Sequence, residues 1–359
     1  MELSKDKTVG EIVSRLAEAK PAQGAVIADG TWGSYAPLLT SHIATSLKRP
    51  ILYISSHIDD ADRICDDLQT FSGLPVQTFP VWESPPSLEM VADEIGSQRL
   101  RMALELSDGG QSKFIISTCV QALIQPVPKV ERLRSRGLEL KTGHTIDLQT
   151  ILAWLNDGGF EHTDSVDFPG QFAHRGGIVD IFAPVSFSTT GSSASEPQAV
   201  RVEFFGDTIE SIRLIDLDTQ RSGESLKQIT IVAVGGETIF DSAGSELFLD
   251  MLPANTIVIL EEPTQIAEVA DVFLSRLDNA RGMYAWSAIY QAMSRLTCLE
   301  ISRFASGADS IHLDVTSAQE FEHKAGTVWK EGRSALSDLV ERAKDSRIYL
   351  YCENEAEIS

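Results

Sequence analysis

The sequence predicts an α/β protein in which two parallel-sheet portions flank a small α+β domain. Three observations carry this. Between residues 21 and 130 short apolar runs alternate with helical patterns, near Thr145 the texture changes to strands bounded by glycine and polar turns, and after about Gly236 the first pattern returns. Continuous apolar runs separated by amphipathic segments mark strands that crossover helices bury on both faces.

The first portion, residues 1–144, has Ala25-Val26-Ile27-Ala28, Ile51-Leu52-Tyr53-Ile54, Val76-Gln77-Thr78-Phe79 and Phe114-Ile115-Ile116-Ser117 as strands, with amphipathic segments near 35–47, 58–71 and 90–106. The second, 145–235, opens on a short helix around 148–156 and continues as strands in Gly177-Ile178-Val179-Asp180-Ile181-Phe182 and in 200–205. The turn Gly206-Asp207 then returns the chain as a hairpin partner over 208–215. The stretch 186–197, rich in Ser, Thr and Gly, is expected to be a flexible loop between two strands. The third portion, 236–359, has Thr256-Ile257-Val258-Ile259-Leu260 as a buried strand, helices near 264–277, 283–296 and 327–343, and strands near 311–315 and 347–352. Because Ile348-Tyr349-Leu350-Tyr351-Cys352 reads like a strand entering a helix, the chain is expected to be a fragment of something longer.

Composition narrows the function. A chain of 359 residues, 43% hydrophobic and 23% charged, is expected to fold into a few units sharing a core. No apolar run approaches the roughly 20 residues of a membrane helix, and residues 1–20 lack the apolar centre of a signal peptide, so no membrane partner and a cytoplasmic location are expected. Cys65, Cys119, Cys298 and Cys352 are far apart in apolar runs, which reads as reduced core residues, without the paired spacing of a metal site. With 52 acidic against 30 basic residues, net charge −22, most of the surface repels a duplex, and no Lys/Arg cluster interleaved with aromatics offsets that.

One segment has the placement of a phosphate-binding loop, which identifies the sheet portions as resembling a P-loop NTPase. The first strand runs into Gly30-Thr31-Trp32-Gly33-Ser34-Tyr35-Ala36-Pro37 and then a helix. In the pattern G-x-x-x-x-G-K-[ST], glycine amides surround the phosphates, lysine reaches the terminal ones and the hydroxyl holds magnesium. Here Tyr35, Ala36 and Pro37 occupy those three chemical positions, so the loop reads as degenerate. The acidic half of such a site would be Glu261 and Glu262, which without an opposing lysine are read instead as favourable negative charge at the start of the next helix. Ser34 and Ser84 lack a His and Asp arrangement and the seven histidines are scattered. No catalytic residue, metal or cofactor is therefore expected in this segment.

What remains is recognition. Strand alternation turns Val200, Val202 and Phe204 inward and Arg201, Glu203 and Phe205 outward. An exposed Arg beside an exposed Phe is a common pairing at interface hot spots. The alternative is that Phe205 is buried under the 186–197 loop while Arg201 pairs with Glu203 or Glu210. Trp32, Trp82 and Trp154 read as core or inter-domain packing in preference to a base-stacking platform.

Three blocks carry a family resemblance. They are Phe79-Pro80-Val81-Trp82-Glu83-Ser84 with Ser97-Gln98-Arg99-Leu100-Arg101; the run from Phe168-Pro169-Gly170-Gln171 through Phe172-Ala173-His174-Arg175-Gly176-Gly177 to Phe182; and Arg201-Val202-Glu203-Phe204-Phe205-Gly206-Asp207 with 216–222. Together with Leu252-Pro253-Ala254-Asn255-Thr256 they resemble the amino-terminal UvrB homology module of the transcription-repair-coupling factors. That resemblance implies a degenerate UvrB-type fold, its 1a and 1b portions flanking a UvrA-binding domain whose contact residues match Arg175, Arg201 and Phe205. UvrB carries a further Arg where this chain has Ala173. The resemblance also implies a full-length ATP-dependent DNA translocase with RNA polymerase and double-stranded DNA as partners. UvrB, an excision-repair helicase, is the competing assignment. Against it stand the missing loop lysine, the absence of room between Trp82 and Glu94 for its aromatic hairpin, and Glu261-Glu262-Pro263-Thr264 in place of Asp-Glu-Ser-His. A blander possibility is an interdomain scaffold.

Overall fold

The computed structural model describes residues 3–82, 94–107, 114–188, 197–233, 244–277, 280 and 282–315. Its helices are α1 (Lys7–Glu18), α2 (Tyr35–Leu47), α3 (Ile58–Ser72), α4 (Glu94–Ser107), α5 (Val120–Ile124), α6 (Val130–Ser135), α7 (Leu148–Asp157), α8 (Pro263–Ser275) and α9 (Trp286–Met293). Its strands are β1 (Val26–Asp29), β2 (Ile51–Ser55), β3 (Val76–Phe79), β4 (Ile115–Cys119), β5 (Val127–Pro128), β6 (Gly137–Lys141), β7 (Glu161–His162), β8 (Gln171–Arg175) and β9 (Ile178–Ala183). Then follow β10 (Ser186–Ser188), β11 (Gln198–Phe205), β12 (Thr208–Asp216), β13 (Arg221–Leu226), β14 (Gln228–Val232), β15 (Ser245–Glu246), β16 (Ile257–Glu261), β17 (Thr297–Ser302) and β18 (Ile311–His312). The expected helix 327–343 and strand 347–352 lie outside the described residues. The helix expected near 283–296 is shorter, and the strand near 311–315 is reduced to two residues.

The α/β class and its large parallel sheet are as expected. One seven-stranded sheet runs in the order β18-β1-β17-β16-β2-β4-β3, and every neighbouring pair is parallel. Strands β16 and β17, which follow the small domain in sequence, lie between β1 and β2, so the two flanking portions share a single sheet. The physical reason is burial: β2, β4 and most of β16 are inaccessible along their length, and such strands need neighbours on both edges and helices on both faces. Helices α1, α2 and α3 cover one face through Ile12, Leu39 and Ile64; α5, α8 and α9 cover the other through Leu123, Ile266 and Ile289. Each such side chain contributes about 1.5–3 kcal/mol when fully buried.

Helix α1 starts at Asp6, whose carboxylate accepts from Thr8 N at 2.8 Å and Val9 N at 3.2 Å, and it buries Val9, Ile12 and Leu16. The two halves of the first sequence block meet at Arg99, which is fully buried. Its guanidinium donates to the carbonyls of Pro80, Ala122, Gln125 and Pro126 and lies over the rings of Phe79 and Trp82, at 4.2 and 4.4 Å from their centroids. Gln125 completes the clamp, accepting from Trp82 N and donating to Trp82 O, each at 2.8 Å.

The inserted region has a six-stranded sheet, β13-β12-β11-β9-β8-β7, and a three-stranded one, β10-β14-β6. Strand β6 pairs antiparallel with β14, so this region takes in residues ahead of Thr145. Ser186–Ser188, expected to be loop, is strand β10 paired with β14; residues 189–196 lie outside the described ones. The core between sheet and α7 includes Leu140, Ile151, Leu155, Ile181, Val200 and Ile212. No helix among the described residues is long and apolar enough to cross a membrane.

Candidate functional site

The loop after β1 sits at the carboxyl edge of the large sheet, where α/β proteins ordinarily bind ligands. Gly30 and Gly33 both have left-handed backbone, φ 80° and 56°. A Cβ on Gly30 would overlap the Leu313 carbonyl and lie 2.8 Å from His312 Cε1, so the segment after β18 is packed directly on the loop. Tyr35 starts α2 half-buried, while Ala36 and Pro37 are buried in its first turn against the core. The Asp29 side chain, buried just before Gly30, accepts from Ser306 N at 2.9 Å and Ser310 Oγ at 2.5 Å, with His312 Nδ1 at 2.6 Å from its other oxygen. Burial pushes its pKa up, yet these hydrogen bonds and His312 together hold the carboxyl below the usual carboxylate value. A buried anion hub thus stands beside the loop. Sequence reasoning did not find it, because its partners come from more than 270 positions away.

Glu261 and Glu262 lie at the end of β16, with β17 between them and β1. Glu261 accepts from Tyr53 Oη at 2.9 Å, and burial raises its pKa despite that bond. Glu262 has left-handed backbone and makes no side-chain cap to α8. Its carboxylate accepts from Arg303 N at 2.7 Å and Arg303 Nε at 3.2 Å, so it stands at the start of α8 with Arg303 as its partner. Trp32 packs edge-on to Phe304, centroids 5.5 Å apart; Trp82 is buried, and Trp154 packs on Phe160 at the small-domain core.

The structure brings Arg175, Arg201 and Phe205 onto one face of the six-stranded sheet. Arg175 pairs in register with Ile178 across the turn Gly176-Gly177, and Ile178 pairs with Glu203. Phe204 N donates to Gly177 O at 2.7 Å, and a Cβ on Gly177 would stand 2.9 Å from Phe204 O. Glycine there lets the β8–β9 hairpin tip rest against the β11–β12 tip. The register shift between Glu203 and Phe204 leaves the extra residue, Glu210, on β12, and ordinary alternation along β11 keeps Phe204 packed on the core and turns Phe205 out, at 81% exposure. The alternative of a buried Phe205 is thereby set aside. Ile178, which sequence reasoning passed over, is 37% exposed beside it.

Arg201 differs from expectation. It is half-buried, with Nε and Nη2 each 2.7 Å from the two oxygens of Asp180 and Nη1 at 3.3 Å from Ser222 Oγ. Its ion partner is therefore Asp180, while Glu203 accepts from Ser211 Oγ instead. The sequence held a signal, an acid alternating with Val179 and Ile181 in an apolar strand. Arg175 stays exposed, and one of its nitrogens donates to Asp164 O at 2.8 Å. At the far end of the same face Val166, Ala173, Phe182, Ala199 and Ile215 form a small apolar cluster, so position 173 is committed to packing.

Comparison with known proteins bears on this surface. Residues 138–235 match the family model of the UvrB interaction domain, a span that takes in Arg175, Arg201 and Phe205. The transcription-repair-coupling factor of Bacillus subtilis is 31% identical over 204 residues, 56% of this chain and 16% of the relative. Over this stretch the chain is similar to the transcription-repair-coupling factors. Those of Escherichia coli (28% over 217 residues, 60% of this chain and 18% of the relative) and Mycobacterium bovis (32% over 200 residues, 53% and 15%) show the same partial coverage. The aligned stretch thus spans less than a fifth of each coupling factor's length.

Proposed function

We propose that this chain is a non-catalytic, UvrB-like docking module that recruits UvrA in the cytoplasm during transcription-coupled nucleotide excision repair. The observation that carries the reading is Phe205, 81% exposed at a hairpin tip on the same sheet face as Arg175 and Ile178, in the span that matches the UvrB interaction domain. An exposed aromatic on one face with a guanidinium offers desolvated contact area and directed hydrogen bonds to carboxylates on the partner. RNA polymerase and double-stranded DNA remain partners of the coupling process in this reading, and no described surface is assigned to either.

The non-catalytic half of the reading treats Gly30, Gly33, Tyr35, Ala36 and Pro37 as a phosphate loop that has lost its chemistry. Ala36 and Pro37 packed in the core, and Glu261 and Glu262 engaged by Tyr53 and Arg303, support it. In binding assays with purified UvrA, Phe205→Ala and Arg175→Ala are expected to weaken the complex about tenfold or more each. Unchanged affinity in both would assign the face to scaffolding. Titration with ATP and magnesium is expected to show no binding up to about 1 mM, the upper end of ordinary enzyme affinities; micromolar binding would favour a UvrB-like helicase.

A further inference from the structure

Asp180 is the acid that the docking reading leaves without a role. It stands directly opposite Arg201 in the β9–β11 register, and on its other side Arg201 faces Arg213 of β12. Two guanidinium groups opposed across a strand pair repel. The carboxylate of Asp180 takes Nε and Nη2 of Arg201 side-on at 2.7 Å each, and Ser222 Oγ takes Nη1. An arginine has five N–H donors, so this arrangement leaves one on Nη1 and one on Nη2. Because Asp180 occupies the Nε/Nη2 edge, the second hydrogen of Nη2 points to the Nη1/Nη2 end of the fork. The pair is largely but not fully covered, with 21% of the Arg201 side chain and 14% of that of Asp180 exposed.

We infer that Asp180 is a positioning residue, which locks Arg201 side-on so that the Nη1/Nη2 edge of its fork is presented to a carboxylate of the partner. The inference rests on the docking reading above. It bears on affinity because ordering a free arginine is a cost of association, and a fork already held in place does not incur it. It also runs against simple electrostatics. For an acidic partner surface, deleting the Asp180 charge would by Coulomb's law alone tighten binding.

The test uses the whole chain, purified UvrA, and the variants Asp180→Asn, Arg201→Ala, the double variant and Phe205→Ala. Asp180→Asn is expected to weaken binding about tenfold, the scale of one lost hydrogen bond to a charged group. The double variant is expected to bind no worse than Arg201→Ala alone, since Asp180 acts through Arg201. The Arg201 Nε–H resonance is expected to be protected from exchange in the parent and to exchange rapidly in Asp180→Asn. Should that variant fail to fold, Asp180→Glu keeps the charge but displaces the carboxylate, and it is expected to weaken binding as well. Unchanged or tighter binding by either variant, with Phe205→Ala still weak, overturns the inference and leaves the docking reading standing. Unchanged binding by Phe205→Ala, together with unchanged binding by Arg175→Ala, overturns the docking reading itself.

Discussion

Two carboxylates near the carboxyl edge of the large sheet have opposite titration behaviour. Asp29, held below the usual carboxylate value by Ser310, His312 and Ser306 against the pull of burial, contributes stability that is fully present above the unfolded-state pKa. That stability is lost as pH falls through the depressed folded value. Asp29→Asn is therefore expected to lower stability at neutral pH and to flatten the acid limb of the unfolding curve, measured by denaturant titration from pH 7 downward. Glu261 is the reverse case. Burial raises its folded pKa above the unfolded one, so its ionisation opposes folding as pH rises through that window. Glu261→Gln keeps an acceptor for Tyr53 and is expected to stabilise the protein at pH 7, with the gain vanishing in acid. At the docking face the expectation is dissociation of stability from function. Phe205 is exposed, so Phe205→Ala should change unfolding free energy by no more than about 0.5 kcal/mol while weakening UvrA binding.

Among the elements, the loop joining β1 to α2 holds two glycines in different surroundings. Gly30 and Gly33 share left-handed backbone, but Gly30 is pressed against Leu313 and His312, whereas Gly33 has open space around its Cβ position. Gly30→Ala is expected to cost about 2 kcal/mol or more, from strain and overlap together. Gly33→Ala should cost only the conformational term, about 1–2 kcal/mol. Denaturant unfolding of the two variants compares them directly; equal costs would mean that the segment after β18 does not bear on the loop. The hairpin tips follow the same logic. Gly177 is required by the approach of Phe204, and that approach is what sets Phe205 on one sheet face with Ile178 and Arg175.

For the molecule as a whole, the separation of sequence neighbours matters most. Strand β1 has β17 and β18 as its two neighbours, and β2 has β16 as one of its own, all from beyond the inserted region. The inserted region by contrast holds its main core within itself and meets the rest through a smaller seam, where Val185 and Val232 pack on Leu100, Leu104, Val130 and Leu133. A fragment of residues 136–233 is expected to unfold cooperatively in denaturant and to retain UvrA binding. A fragment of residues 1–136, which leaves β1 without a paired strand, is expected to show no cooperative transition. Cooperative unfolding of the second fragment would contradict the single-sheet account.

Local pattern alone determined a good deal. The apolar runs at 25–28, 51–54, 114–117 and 256–260 announced buried strands, and Gly206-Asp207 announced its hairpin, because burial period and turn chemistry are written in neighbouring residues. The same is true of the outward turn of Phe205. Only the tertiary structure decided that two sheet portions are one, that Arg201 answers to Asp180 and not to Glu203, and that Asp29 gathers Ser306, Ser310 and His312. Those facts depend on strand order and on pairing between distant segments. A sequence gives the facing direction of a side chain along its own strand, but which strand lies opposite is settled only when the whole core closes.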